Sequence, residues 1–297
     1  MSIERRVYLS VTSSRNLGPR RRGIKTAIIK KIRDAGYSPQ EFLEMGISTD
    51  IAWSFDNVDK VMRKCIGAMV LGFPRWTVSD DGFTRQLIND YNNYEGAVAL
   101  TLGLPLMIIA EEGVENRGII WTGGGRTITH LPDDATPDWV NNSEFTRRFD
   151  AWTQALVSHK DVFLGYCSKS IGTAAQIQLW LERHGATVLN WAMDFRSGVS
   201  ILNELEAARA ACTCGIFLFS EDDPLKGLSG GAAPRDNVVF EAGHFICSKG
   251  ASRCLIIREG DAKIPADLGG TIYVPLRKAG DVAAIEGRLV QFLETNL

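Results

Sequence analysis

In PRDNVVFEAGHF, Pro234 to Phe245, one acid stands inside an apolar run. Val238, Val239, Phe240, Ala242 and Phe245 favour burial, and Glu241 sits among them. A carboxylate taken out of water without a partner is costly, so it shifts its pKa, finds a counter-charge or has work to do. Two uses fit the residues. Arg235 offers an ion pair that would fasten a helix to its sheet. Alternatively, the carboxylate faces an open slot and does chemical work there. Glu95, in NNYEGAVAL, occupies a comparable setting earlier in the chain. His244, three positions after Glu241, fits either an acid that assists the carboxylate or a partly buried structural histidine. The Asp222-Asp223 pair raises the question of a metal, but SEDDPLKGLSGGAAPRD has the Gly, Ser and Pro content of a mobile loop bordering Glu241.

The elements that hold these acids follow from pattern. RDNVVFEAGHFICSKG is too long for a buried strand and ends at Gly250, so it reads as a helix with Asp236 or Asn237 as its cap. RRVYLSVTSS and KDVFLGYCSKS are each a β-branched and aromatic run ending in small polar residues, as strands entering loops. Each is followed by a helix-period segment, KTAIIKKIRDAGY and AAQIQLWLERHGA. Further matches keep a near-constant offset: Cys65 and Cys212 are 147 apart, Glu95 and Glu241 146, Gly113 and Gly260 147. The chain is therefore a tandem duplication of one β/α unit. The expected fold is α/β, two tandem Rossmann-like (flavodoxin-like) domains with mostly parallel sheets. Ligands in such folds bind beyond the carboxyl ends of the strands, which puts SVTSSRN and GYCSKS at the mouths of two sites.

The expected division is residues 1–120, a connector over 121–158, and residues 159–297. In the connector, GIIWTGGGRTITHL predicts a hairpin through Gly123, Gly124 and Gly125. SEFTRRFDAWTQALVSH predicts an amphipathic helix capped by Ser143. RNLGPRRR reads as a solvated basic loop. Across 297 residues, 45% are apolar and 23% charged, and the formal net charge is −2. That balance excludes broad electrostatic binding to nucleic acid or an anionic membrane. With no secretory signal and no apolar run near the length of a spanning helix, a cytoplasmic location is expected. The six cysteines read as small buried hydrophobes, without zinc spacing, and no metal is expected.

APRDNVVFEAGHFICSKGASRCLII, followed by IPADLGGTIYVPL, resembles the bacterial TIR-like domain family. These are the effectors of CD-NTase-associated, STING–TIR and Pycsar anti-phage systems. Its shared R-D-N-V-x-F-E-x-G-x-F run falls on Arg235 to Phe245, a strand on Cys254 to Ile257, and P-x-D-L-x-G on Pro265 to Gly269. The resemblance spans about Lys160 to Leu297. It implies a TIR-like sheet that cleaves NAD+, as substrate and not as cofactor, at the nicotinamide glycosidic bond, with Glu241 catalytic. It further implies a substrate pocket lined by Gly165, Tyr166, Cys167, Ser168, Trp191, Phe195 and Asn237, with Trp191 and Phe195 as stacking candidates. A nucleotide activator, such as a cyclic nucleotide, and a homo-oligomer are the implied partners.

The first half keeps Asn93, Tyr94, Glu95 and Gly96 but lacks the Arg-Asp pair. VYLSVTSS and YEGAVALTLGLPLMII are similar also to nucleoside 2-deoxyribosyltransferases, which set a glutamate against a ribosyl carbon. Three roles stay open: a degenerate copy serving as sensor or dimer platform, a nucleotide site through Ser10, Ser13, Arg15, Tyr94 and Glu95, or a second glycosidase. For the whole chain, a non-catalytic nucleotide-binding assembly module and a (deoxy)ribosyltransferase are the alternatives.

Overall fold

A computed structural model describes residues 3–42, 53–80, 82–194, 200–225, 231–268 and 273–297. The chain divides into two compact units, Glu4–Ser158 and His159–Leu297, the latter with Ile3. The first unit runs β1 (Arg6–Val11), α1 (Pro19–Asp34), β2 (Ser38–Gln40), α2 (Phe55–Met62) and β3 (Ala68–Gly72). It continues with β4 (Pro74–Asp80), β5 (Phe83–Ile88), α3 (Asp90–Thr101), β6 (Leu106–Glu111), β7 (Ile128–Leu131) and α4 (Ser143–Ser158). The second runs β8 (Lys160–Gly165), α5 (Ile171–Arg183), β9 (Val188–Asn190), α6 (Trp191–Asp194), α7 (Ile201–Ala211) and β10 (Cys212–Phe219). Then come β11 (Asp223–Pro224), β12 (Ala232–Ala233), α8 (Asp236–Lys249), β13 (Cys254–Glu259), β14 (Tyr273–Leu276) and α9 (Glu286–Asn296).

Each unit holds a five-stranded parallel sheet, in the orders β2-β1-β3-β6-β7 and β9-β8-β10-β13-β14. These are one topology built twice, the flavodoxin-like order with its switch point between the first and third strands of each unit. Even the interruption recurs: an antiparallel pair, β4-β5 or β11-β12, sits between the third strand and the glutamate-bearing helix. Alternate residues of each strand point to opposite faces, and both faces are covered. In the first unit Val7, Leu9, Met69, Leu71, Met107 and Ile109 pack with α1 and α4, and Tyr8, Ala68 and Ala99 with α2. In the second, Leu164, Ile216 and Ile257 pack with α5 and α9. Phe163, Phe217 and Ile256 face α7 and α8.

On α8 the stripe Val238, Ala242 and Phe245 is buried at helical spacing. The Phe245 ring lies 4.9 Å from that of Phe163 and 5.4 Å from that of Phe217. Burying that ring contributes about 1.5–3 kcal/mol and anchors the helix to the sheet.

Several expectations are corrected. GIIWTGGGRTITHL forms no hairpin among the described residues: two short 3-10 turns precede β7, which pairs parallel with β6 as the edge strand. Segment 121–158, expected as a connector, lies within the first unit. The cap of α4 is Asn142, whose Oδ1 accepts from the Phe145 N–H at 2.7 Å, and not Ser143, its first residue. RNLGPRRR is not a free loop: Pro19 opens α1, and Arg20 and Arg21 both pair with buried Glu111. Neither Asp236 nor Asn237 caps α8, whose cap position is Arg235. Phe240 faces outward, 54% exposed, and Cys247 is exposed whereas the other five cysteines are buried. The β4-β5 hairpin was not anticipated.

Candidate functional site

Glu241 sits in the second turn of α8, beside the end of β8. Strand β8 ends at Gly165, where the chain needs a small residue. A Cβ there would lie 2.6 Å from the Phe217 ring and 3.0 Å from Glu241 Oε2. The glycine thus lets the carboxylate reach the strand end. Oε2 is sealed from solvent and has no hydrogen-bond partner among the described residues. Burial without compensation pushes the carboxyl up to about 7.

Beside it opens a cavity of about 330 Å³ lined by Tyr166, Cys167, Ser168, Trp191, Ile201, Arg235, Asn237, Val238 and Glu241. That is within the range of small-molecule sites. The wall is fixed by its own hydrogen bonds. Trp191 Nε1 donates to the Tyr166 carbonyl at 3.0 Å, and Tyr166 Oη donates to Asn190 Oδ1 at 2.8 Å. On the far side, Ser220 Oγ and the Arg235 backbone N–H both donate to buried Asp222, at 2.9 and 3.0 Å. Asp222 is thereby spent on ordering the start of α8, and Asp223 on holding the Arg235 guanidinium at 2.9 Å. His244 lies 3.2 Å from Glu206 and stacks on Phe240.

The structure therefore brings together Tyr166, Cys167, Ser168, Trp191, Asn237 and Glu241. Gly165 stands behind the carboxylate, and Phe195 lies outside the described residues, as does Gly269. Arg235, considered as an ion-pair partner for Glu241, pairs with Asp223 instead and lines the cavity. Ile201 and Val238 also line it, beyond the residues expected from sequence. Val238 belongs to the apolar stripe, and nothing in sequence separates Ile201 from other exposed helix residues.

The duplicate carboxylate is held differently. Glu95, 6% exposed, accepts from Tyr8 Oη at 2.8 Å and from Trp53 Nε1 at 3.3 Å. Burial raises its pKa, while hydrogen bonds from Ser10, Tyr8 and Trp53 pull the other way. Ser10 also accepts from Asn92 at 2.8 Å. Strand register identifies the counterparts. Tyr8 faces Ala68 as Phe163 faces Gly215, and Ser10 faces Val70 as Gly165 faces Phe217. The two hydroxyls that clamp Glu95 are thus missing around Glu241.

A smaller cavity of about 190 Å³ adjoins Glu95, lined by Ser13, Asn16, Trp53, Arg75, Trp76 and Tyr91 among others. Of the five residues named for a first-unit site, Ser13 and Glu95 line it and Ser10 lies behind Glu95. Arg15 is exposed and outside the lining, and Tyr94 packs on Phe55 and Trp53. Tyr8→Phe is expected to destabilise the protein by about 1–3 kcal/mol, because a buried carboxyl loses a donor. Urea unfolding at neutral pH measures it.

Residues 161–278 match the family described as "CAP12/Pycsar effector protein, TIR domain". "CD-NTase-associated protein 12" of Lachnospiraceae bacterium (strain RUG226) is 35% identical over 111 residues, covering 37% of this chain and 35% of the relative. The protein of the same name from Sphingobacterium faecium is 29% identical over 140 residues, covering 46% of this chain and 43% of the relative. The matched part thus spans less than half the length of either curated relative. Among solved structures, the TIR domain of the Toll-related Receptor TRR-2 from Hydra magnipapillata aligns with 46% of this chain and 98% of its own. Its identity is 13% and its TM-score 0.36. Among the described residues, no helix is long and apolar enough to cross a membrane.

Proposed function

We propose, from a second unit matched by the CAP12/Pycsar effector TIR domain, that this unit hydrolyses NAD+ to nicotinamide and ADP-ribose with Glu241 as its catalytic residue. The observation that carries the reading is the carboxyl oxygen without a hydrogen-bond partner among the described residues, sealed beside a cavity in the small-molecule range. As the C1′–N bond breaks, its electron pair leaves with neutral nicotinamide and C1′ becomes an oxocarbenium-like cation. An ionised Glu241 stabilises that charge in a site where water does not screen it. Water then adds to C1′ and releases a proton, so one carboxylate suffices. Trp191, fixed by its bond to the Tyr166 carbonyl, offers an aromatic face for nicotinamide or adenine.

Glu95 supports a different role for the first unit. A carboxyl clamped by two hydroxyls and an indole is poorly placed to meet a cation, which favours a non-catalytic copy that senses or assembles over a second glycosidase. A nucleotide signal, self-association and a cytoplasmic defence role extend the same reading from the relatives. The direct test is nicotinamide release from NAD+, followed with and without a panel of cyclic nucleotides. Release identifies the hydrolase, and transfer to an added free base would point to a ribosyltransferase. NAD+ binding without turnover under every condition would favour the assembly module.

A further inference from the structure

We infer that Arg235 is the diphosphate-binding residue of the Glu241 cavity, and so selects dinucleotides over nucleosides. The inference rests on the NAD+ reading of that cavity. It begins from a residue in the wrong place for stability. Arg235 occupies the cap position of α8, where the best residues carry a side-chain acceptor for the first free amides. Arginine has five donors and no acceptor. In the first unit the corresponding cap is Asn89, whose Oδ1 accepts from the Tyr91 N–H at 3.2 Å. The fold therefore accommodates a good cap at this point, and the second unit forgoes it. Local rules broken without structural gain tend to mark functional positions.

What Arg235 brings to this position in place of a cap is a charge. Among the described residues lining the cavity, Arg235 is the sole cation and Glu241 the sole acid. Both line one cavity, and two opposite charges there suit a substrate with a cationic ribosyl–nicotinamide end and an anionic diphosphate. The guanidinium is tethered without being consumed. Asp223 engages Nη1 at 2.9 and 3.2 Å, and among the described residues the rest of the donor fork has no bond. Side chains of both partners are about half exposed, 57% and 43%, so the tether is weak and exchangeable. A planar fork matches phosphate oxygens two at a time.

Calorimetry of ADP-ribose and adenosine with wild type, R235N and R235K tests this. R235N is expected to weaken ADP-ribose at least tenfold, to leave adenosine within twofold, and to raise the melting temperature, since asparagine supplies the missing cap. R235K should recover part of the ADP-ribose affinity. Equal ADP-ribose affinity in R235N, an equal loss for adenosine, or no ADP-ribose binding to wild type would overturn the inference. A lower melting temperature with both ligands lost would assign Arg235 to the scaffold instead. Arg235-dependent ADP-ribose binding by a protein that never releases nicotinamide would remove the hydrolase reading and leave the diphosphate site standing.

Discussion

Glu241→Gln is expected to cut nicotinamide release by about 10²–10³-fold or more, and at the same time to make the protein harder to unfold above pH 7. Both effects come from one carboxyl. Glutamine keeps the shape and loses the charge, so the sugar cation forms without its counter-charge. The stability gain follows from linkage. Burial raises the folded pKa from 4.5 to about 7, so between those values the native protein keeps a proton that the unfolded chain has lost. Wild-type stability therefore falls as pH rises through that window and levels off above it. A shift of that size corresponds to about 3 kcal/mol. Melting curves of the two proteins should coincide near pH 4.5 and diverge by several degrees at pH 8. For the same reason kcat/KM should climb through about pH 7, where the free enzyme ionises. The kcat profile should bend at lower pH, because the bound pyridinium charge favours the carboxylate. Undiminished release by the variant would remove Glu241 from the chemistry. Parallel melting profiles would show its carboxyl to be hydrated.

How much of this was legible in the sequence depended on whether a signal was local or arose from pairing. The offsets linking Cys65 to Cys212 and Glu95 to Glu241 carried the duplication, because strand and helix order survive point changes. Helix α8 was readable from its length and its Gly250 stop. The hairpin expected around Gly123 failed because glycine-rich stretches also serve irregular turns. Only pairing with β6 fixes Ile128–Leu131 as an edge strand. The unforeseen β4-β5 hairpin did have a signal: Trp76 and Val78 alternate with polar residues ahead of the Asp-Gly pair at 81–82. In RNLGPRRR, Pro19 was a helix-start signal outweighed by the charge cluster beside it. In sequence Arg235 offers itself as a partner for Glu241, since sequence cannot show that Asp223 folds back to hold it. The clamp on Glu95 was invisible for the same reason. It needs strand register to bring Tyr8 and Ser10 under a helix more than eighty residues away.

That register supplies the second large effect. Gly165→Ser is expected to destabilise the protein by about 1–3 kcal/mol through overpacking, because its Cβ would meet the Phe217 ring at 2.6 Å. It should also silence Glu241, whose Oε2 would stand 3.0 Å from the same Cβ. The first unit shows how the chain tolerates a serine there. Opposite Ser10 the sheet carries Val70, whereas opposite Gly165 it carries Phe217. The two strand pairs trade volume, small against large in one unit and intermediate against intermediate in the other. Combining Gly165→Ser with Phe217→Val should therefore recover stability beyond the sum of the single changes, as expected for residues in contact. Activity should stay lost, because the new hydroxyl can bond Glu241 as Ser10 bonds Glu95. Thermal unfolding of both singles and the double, read beside nicotinamide release, separates the two consequences. Activity that returned together with stability would mean that packing alone, and not the unclamped state of the carboxylate, distinguishes the two units.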